Sequence, residues 1–157
     1  MGTTTDQKDP RLGHGADNEP RAQNAAYLVL SEEERAKGFV RPVRSSYEHV
    51  GIVGPTHPTR NLTPEELERF GGNEYVTYEE FPSEMAPRAG RFWTQQQLDS
   101  VGKGCGTRTS MAIDIAETYA RKPEFYGSTY CVRCRMHLPV GADGEFVWTG
   151  TNIRVGT

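Results

Sequence analysis

The sequence predicts a small α+β domain of short, irregular elements, with one longer helix at about residues 108–122 and a C-terminal β-hairpin. A zinc ion is expected to staple it, and an extended N-terminal arm to precede it. Three observations predict this. Serine or threonine start signals recur before short helical patterns. Runs of valine and aromatic residues alternate with glycine and proline breaks. Finally, the chain is only 35% hydrophobic over 157 residues and has three cysteines, and a core that small is commonly supplemented by a cross-link or a metal.

Residues 1–25 (MGTTTDQKDPRLGHGADNEPRAQNA) hold glycine, proline, asparagine and charge with almost no apolar side chain, too little to offset the entropy of ordering. This arm is expected to be flexible alone or ordered on a partner, and a single domain is expected over residues 26–157. Ser31-Glu32-Glu33-Glu34 reads as a capping box that opens a helix over 31–37, which Gly38 ends. Residues 39–44 and 45–53 read as extended, with Pro42 limiting the first piece to an edge or a loop.

Thr63-Pro64-Glu65-Glu66 repeats the helix start with proline at the first helical position, and Gly71-Gly72 is its stop. Residues 74–81 read as a strand closed by Pro82, and residues 83–90 as loop. Thr94-Gln95-Gln96-Gln97 is a third capping box, for a helix over 95–101 ended by Gly102. The longer helix rests on Met111, Ile115 and Tyr119 at i, i+4 and i+8, with Glu117 and Arg121 as an exposed pair and Pro123 as its end. Residues 128–132 are strand-like, and a hairpin is expected to join 137–140 with 145–149 around Gly141-Ala142-Asp143-Gly144.

Charge excludes some functions. The net charge is −3, and residues 1–99 carry 11 basic and 16 acidic groups (−5) against 7 and 5 (+2) in residues 100–157. Neither part is the strongly basic face that grips duplex DNA through its phosphates. The longest apolar run, residues 25–30, is six residues, too short for a membrane span or a signal sequence. A cytoplasmic protein is expected. An odd number of cysteines, which cannot all pair internally, agrees with a reducing compartment and metal ligation.

Cys131-Val132-Arg133-Cys134 is half of a tetrahedral site, because a tight turn between two thiols points both sulfurs the same way. Cys105, between Gly104 and Gly106, is the natural third ligand: glycines let the backbone approach an ion closely, and Lys103 favours the thiolate. His137, three residues after Cys134, is the first choice for the fourth ligand if the turn continues. His49, on an expected strand, is the alternative; His14 and His57 read as solvated loop residues. The competing readings are that the cysteines are small buried hydrophobes, that Cys131 and Cys134 form a redox pair, or that Cys105 is a nucleophile with His49 or His137 as base. Pro139 argues against the redox pair, which usually opens a helix. Residues 102–107 offer a weak anion cradle that lacks the Walker order.

Arg133 and Arg135 flank the second cysteine of the turn, with Tyr130 before it and Trp148 on an expected facing strand. Cations beside aromatic rings are how single-stranded nucleic acid is held. The competing reading is a hairpin packed by its own tryptophan with two solvated arginines.

The wording of the second half of the chain carries a resemblance. Gly90-Arg91-Phe92-Trp93-Thr94, Gly104-Cys105-Gly106-Thr107, Glu117-Thr118-Tyr119-Ala120-Arg121, Phe125-Tyr126-Gly127, the C-x-x-C-x-x-H-L-P-V run and Phe146-Val147-Trp148 resemble a group of short uncharacterised proteins of tailed bacteriophages and prophages. The resemblance covers residues 39–157. It implies a phage context and metal binding by Cys105, Cys131 and Cys134, and it transfers no catalytic residue. The expectation is therefore a non-enzymatic zinc-binding module that works through protein contacts, as a phage accessory or virion component. The alternatives are a zinc-ribbon-like nucleic-acid binder and a cysteine-dependent enzyme using Cys105.

Overall fold

The computed structural model describes residues 2–13, 16, 19–55, 57–69, 75–80 and 92–157. His14, the Gly71-Gly72 helix stop, the loop over 83–90 and the ends of the strand expected over 74–81 lie outside them. The chain forms two compact units, one made of residues 1–51 and 104–157 and the other of residues 52–103. The division falls at residues 51 and 103, and the expected arm boundary at residue 25 lies within the first unit.

The first unit is mixed α+β. Strand β1 (Gly2–Thr4) pairs in parallel with β2 (Ala26–Leu28), so part of the N-terminal arm is held by this chain's own backbone. Helix α1 (Glu32–Arg35) follows, and then β3 (Ser46–His49), the central strand of a three-stranded antiparallel sheet flanked by β7 (Arg108–Ser110) and β10 (Phe146–Trp148). Strands β8 (Ser128–Cys131) and β9 (Met136–Pro139) form the C-terminal hairpin. Helix α4 (Ile113–Arg121), nine residues long, buries Ile115, Ala116, Thr118, Tyr119 and Ala120. Its core partners are Val29, Tyr47, Cys131, Leu138, Phe146, Trp148 and Val155, with Tyr119 meeting Trp148 edge to face at 5.4 Å.

The second unit has its own sheet, β4 (Thr59–Asn61), β5 (Tyr75–Tyr78) and β6 (Phe92–Thr94), with β5 in the centre. Helices α2 (Pro64–Arg69) and α3 (Gln95–Asp99) belong to it. Tyr78 and Trp93, both almost fully buried, pack edge to face at 5.0 Å.

The capping signals are realised in part. Thr94 and Gln97 form the complete reciprocal box, and so do Thr63 and Glu66. Ser31 accepts from the Glu34 amide, but the Glu34 carboxylate turns outward to Lys37 and Arg121 instead of back to the cap.

Three elements differ from the sequence reading. Residues 108–110 are strand, not helix, because Thr109 is buried between exposed Arg108 and Ser110, the two-residue alternation of a sheet edge. Glu117 and Arg121 do not pair along α4; they reach α1, to Arg35 at 2.9 Å and Glu34 at 3.5 Å. The hairpin joins β9 to β8 and not to β10. Residues 141–144 still reverse the chain, with the Glu145 amide donating to the Pro139 carbonyl. Strand β10 then continues to β3, where Phe146 lies opposite His49.

Candidate metal centre

Four side chains from three parts of the first unit converge: the thiols of Cys105, Cys131 and Cys134 and one ring nitrogen of His49 all lie within 4.8 Å of one another. The Cys105 and Cys131 sulfurs are 3.4 Å apart, and the Cys134 sulfur is 3.4 Å from His49 Nδ1. Around a zinc ion, sulfur at about 2.3 Å and nitrogen at about 2.0 Å put tetrahedral neighbours about 3.5–3.8 Å apart. The observed spacings bracket those edges, so the four groups close on an ion by moving about 1 Å or less.

Each ligand is placed by local sequence. Strand β3 alternates outward Ser46 and Glu48 with inward Tyr47 and His49, which aims His49 into the unit beside the Phe146 ring at 5.1 Å. The loop before β7 then lies directly on the end of β3. The Gly106 amide donates to the His49 carbonyl at 2.8 Å, and the His49 amide donates to the Thr107 carbonyl. A Cβ on Gly104 would sit 2.1 Å from the His49 carbonyl oxygen, so only glycine lets this loop come close enough to deliver Cys105. The two remaining thiols come from the β8–β9 turn. There the Arg135 amide donates to the Cys131 carbonyl at 2.8 Å, the Cys134 amide points at the Cys131 sulfur, and Arg135 takes the left-handed conformation that closes the turn (φ 56°). This turn is docked on the sheet by Val132, whose amide donates to the Thr109 hydroxyl, and by Tyr47, whose hydroxyl donates to the Tyr130 carbonyl.

The histidine is oriented from behind. Glu145 accepts from His49 Nε2 at 2.8 Å, and a carboxylate can only accept here, so Nε2 carries the ring proton and Nδ1 presents its lone pair to the thiols. The Cys105 amide, aimed at Nδ1 at 3.3 Å, agrees with that tautomer. Glu145 is itself clamped: its carbonyl accepts from Val50 and Gly51 at 3.0 Å each, and the Arg154 guanidinium donates to the Gly51 and Gly144 carbonyls.

Electrostatics make the donor set uneven. For Cys105, burial opposes ionisation, but donors from the Thr107 backbone and hydroxyl, with His49 and Cys131, bring the thiol down to about 6. Burial pushes the Cys131 thiol up, and burial with the neighbouring thiols pushes Cys134 up to about 12. Burial works against charge on His49 too, yet the Glu145 and Cys105 bonds raise it overall. Three sulfurs this close cannot all hold negative charge unaided; a divalent cation among them removes the conflict and releases protons. Four protein donors would fill the coordination of a tetrahedral ion.

The structure thus gathers Cys105, Cys131, Cys134 and His49, and it does not bring His137 to them. Because the turn ends at Arg135, β9 begins at once and His137 lies opposite Tyr130, while Cys131 lies opposite Met136. Successive residues of a strand face opposite sides, so His137 points away from the sulfurs. It is buried instead against Tyr130, with its Nε2 3.0 Å from the Tyr27 hydroxyl. His57 belongs to the second unit, edge-on to Tyr78 at 5.8 Å.

The residues proposed for nucleic-acid stacking divide. Arg133 and Arg135 are exposed. Tyr130 and Trp148 are buried in the core, Tyr130 donating its hydroxyl to the Arg21 carbonyl, so neither ring offers a face to a base. Sequence reasoning missed Glu145, Arg154 and the Gly104 contact. Only the inward position of His49 on an alternating strand signalled the histidine that joins the thiols.

No protein-family model matches the chain, and no curated protein or solved structure matches it. Among the described residues no helix is long and apolar enough to cross a membrane.

Proposed function

We propose that this chain is a zinc-binding, non-enzymatic module that acts through protein contacts. The observation that carries the reading is the convergence of His49 Nδ1 with the three thiols, backed by Glu145. A Cys₃His donor set with an oriented histidine suits zinc in a closed, tetrahedral site. Contact with another protein is supported by the exposed apolar residues Phe39, Val40 and Val43, carried on one loop between α1 and β3. Three free cysteines fit a reducing compartment such as a cytoplasm. The resemblance of residues 39–157 to phage proteins supports a role as a phage accessory or virion component.

Elemental analysis of the purified chain tests the reading. About one zinc per chain is expected, and removing it with a chelator should unfold the first unit, because the binding energy of structural zinc is folding energy. Metal-free, folded protein with three freely titrating thiols would overturn it.

A second reading, a cysteine-dependent enzyme using Cys105, draws on that thiol's position at the solvent edge and its lowered pKa of about 6. Iodoacetamide separates the two. A catalytic thiol is modified quickly in the folded protein, whereas a zinc thiolate is shielded until a chelator is added.

A further inference from the structure

Resting on the metal-binding reading, we infer that Cys105 and Cys131 are a peroxide-sensitive pair whose oxidation to a disulfide ejects the metal. Three observations converge on this. Cys105 is the exposed member of the cluster, while Cys131 is fully buried. Their sulfurs stand 3.4 Å apart, so a bond of about 2.0 Å needs a closure of about 1.4 Å. The Cys134 sulfur, within 4.8 Å of both, has its short contact elsewhere, at 3.4 Å to His49 Nδ1. An oxidant arriving from solvent thus meets Cys105 first, and the sulfur placed to resolve the product is Cys131.

The chemistry balances with hydrogen peroxide or an organic hydroperoxide as oxidant. The Cys105 thiolate attacks one peroxide oxygen, the O–O bond breaks, and hydroxide or alkoxide leaves, giving a sulfenic acid. The Cys131 thiolate then attacks the Cys105 sulfur; the S–O bond breaks, a second hydroxide leaves and the disulfide forms. Two sulfurs have lost two electrons in total, the peroxide has gained them, and each leaving oxygen takes up a proton as water or alcohol. The ion keeps only Cys134 and His49, half of its donors, and is lost to any competing chelator. Peroxide would in this way be converted into loss of the cross-link between the β3–β7 edge and the β8–β9 turn.

The test uses the full metal-loaded chain. Hydrogen peroxide is added in steps, released zinc is read with a chromogenic chelator, and disulfides are mapped on peptides after blocking free thiols. The expected result is one zinc released per Cys105–Cys131 disulfide, with rebinding after dithiothreitol and zinc. Zinc retained at peroxide levels that oxidise methionine would overturn the inference. So would release accompanied by a Cys131–Cys134 disulfide, or by a sulfinic Cys105 without any disulfide. Elemental analysis before peroxide separates the two claims, since a chain purified without metal defeats the metal reading itself. The Cys105→Ser variant, keeping three ligands, should release zinc to peroxide at least about 10-fold more slowly. If that variant binds no metal, the disulfide map of the unsubstituted chain decides.

Discussion

His49 Nε2 donates to Glu145 Oε1 at 2.8 Å, so the carboxylate that orients the thiol-facing ring comes from a residue 96 positions later in the chain. The pair joins β3 to the loop before β10, and the backbone bonds from Val50 and Gly51 to the Glu145 carbonyl fix its position. Removing such an outer carboxylate typically weakens metal binding by about 10–100-fold. Glu145→Ala should fall in that range in a chelator competition, with one metal per chain still bound at saturation. Unchanged affinity would mean that Glu145 does not support the ligand.

The two buried histidines make opposite predictions. His49→Ala removes a ligand and should abolish tight binding, leaving three thiols that react with a thiol reagent without a chelator. His137→Ala should leave the metal stoichiometry at one and instead cost about 1–3 kcal/mol of unfolding free energy, because it empties a buried position and strips the half-buried Tyr27 hydroxyl of one of its two partners. Cobalt substitution provides the check. The thiolate charge-transfer bands should survive the His137 change and be lost or shifted by the His49 change. The reverse pattern would restore the histidine that the motif spacing favours.

That contrast shows where the sequence could be read and where it could not. The cysteines were legible because C-x-x-C is a local device: its geometry is set by the turn it sits in, and Cys105 between two glycines marks a close backbone approach. The fourth ligand was not, since choosing between His49 and His137 depends on where β9 starts and on which strand β3 pairs with. One residue more in the turn would have reversed the side on which His137 points. Arg108–Ser110 was read as helix because Met111, Ile115 and Tyr119 are spaced for it, and the pairing of Thr109 with Tyr47 in the sheet overrides that pattern. Helix starts at Thr63 and Thr94 were correct for the opposite reason: both partners of each capping box lie within four residues. Glu145 and Arg154 had no sequence signal, because their roles exist only after β10 has been placed against β3.

Gly104 offers a steric test of how the third thiol is delivered. Its missing side chain lets the loop lie against the backbone of His49, with 2.1 Å left for any added Cβ. The obstacle is main chain and cannot swing aside. Gly104→Ala should therefore push the loop away and uncouple Cys105 from the other three ligands, lowering metal affinity by at least about 10-fold. The near-ultraviolet dichroism of the packed Tyr119 and Trp148 rings should be largely kept. A wild-type affinity would show that the loop has another way to approach.

The second unit carries a pH signature independent of the metal. Glu66 accepts from the Arg60 guanidinium and from the Thr63 amide, and these bonds, the arginine's first, lower its pKa from the usual 4.5 to about 2. A carboxyl depressed by folding stabilises the fold above its unfolded pKa, and that contribution fades as the pH falls from about 4.5 through about 2. A carboxyl-resolved NMR titration should place Glu66 below 4.5, and salt should move it back up because the pair is partly exposed. In Arg60→Gln its pKa should rise while the Thr63 bonds still hold it below 4.5. An unshifted Glu66 in the parent chain would mean that neither the cap nor the ion pair persists in solution.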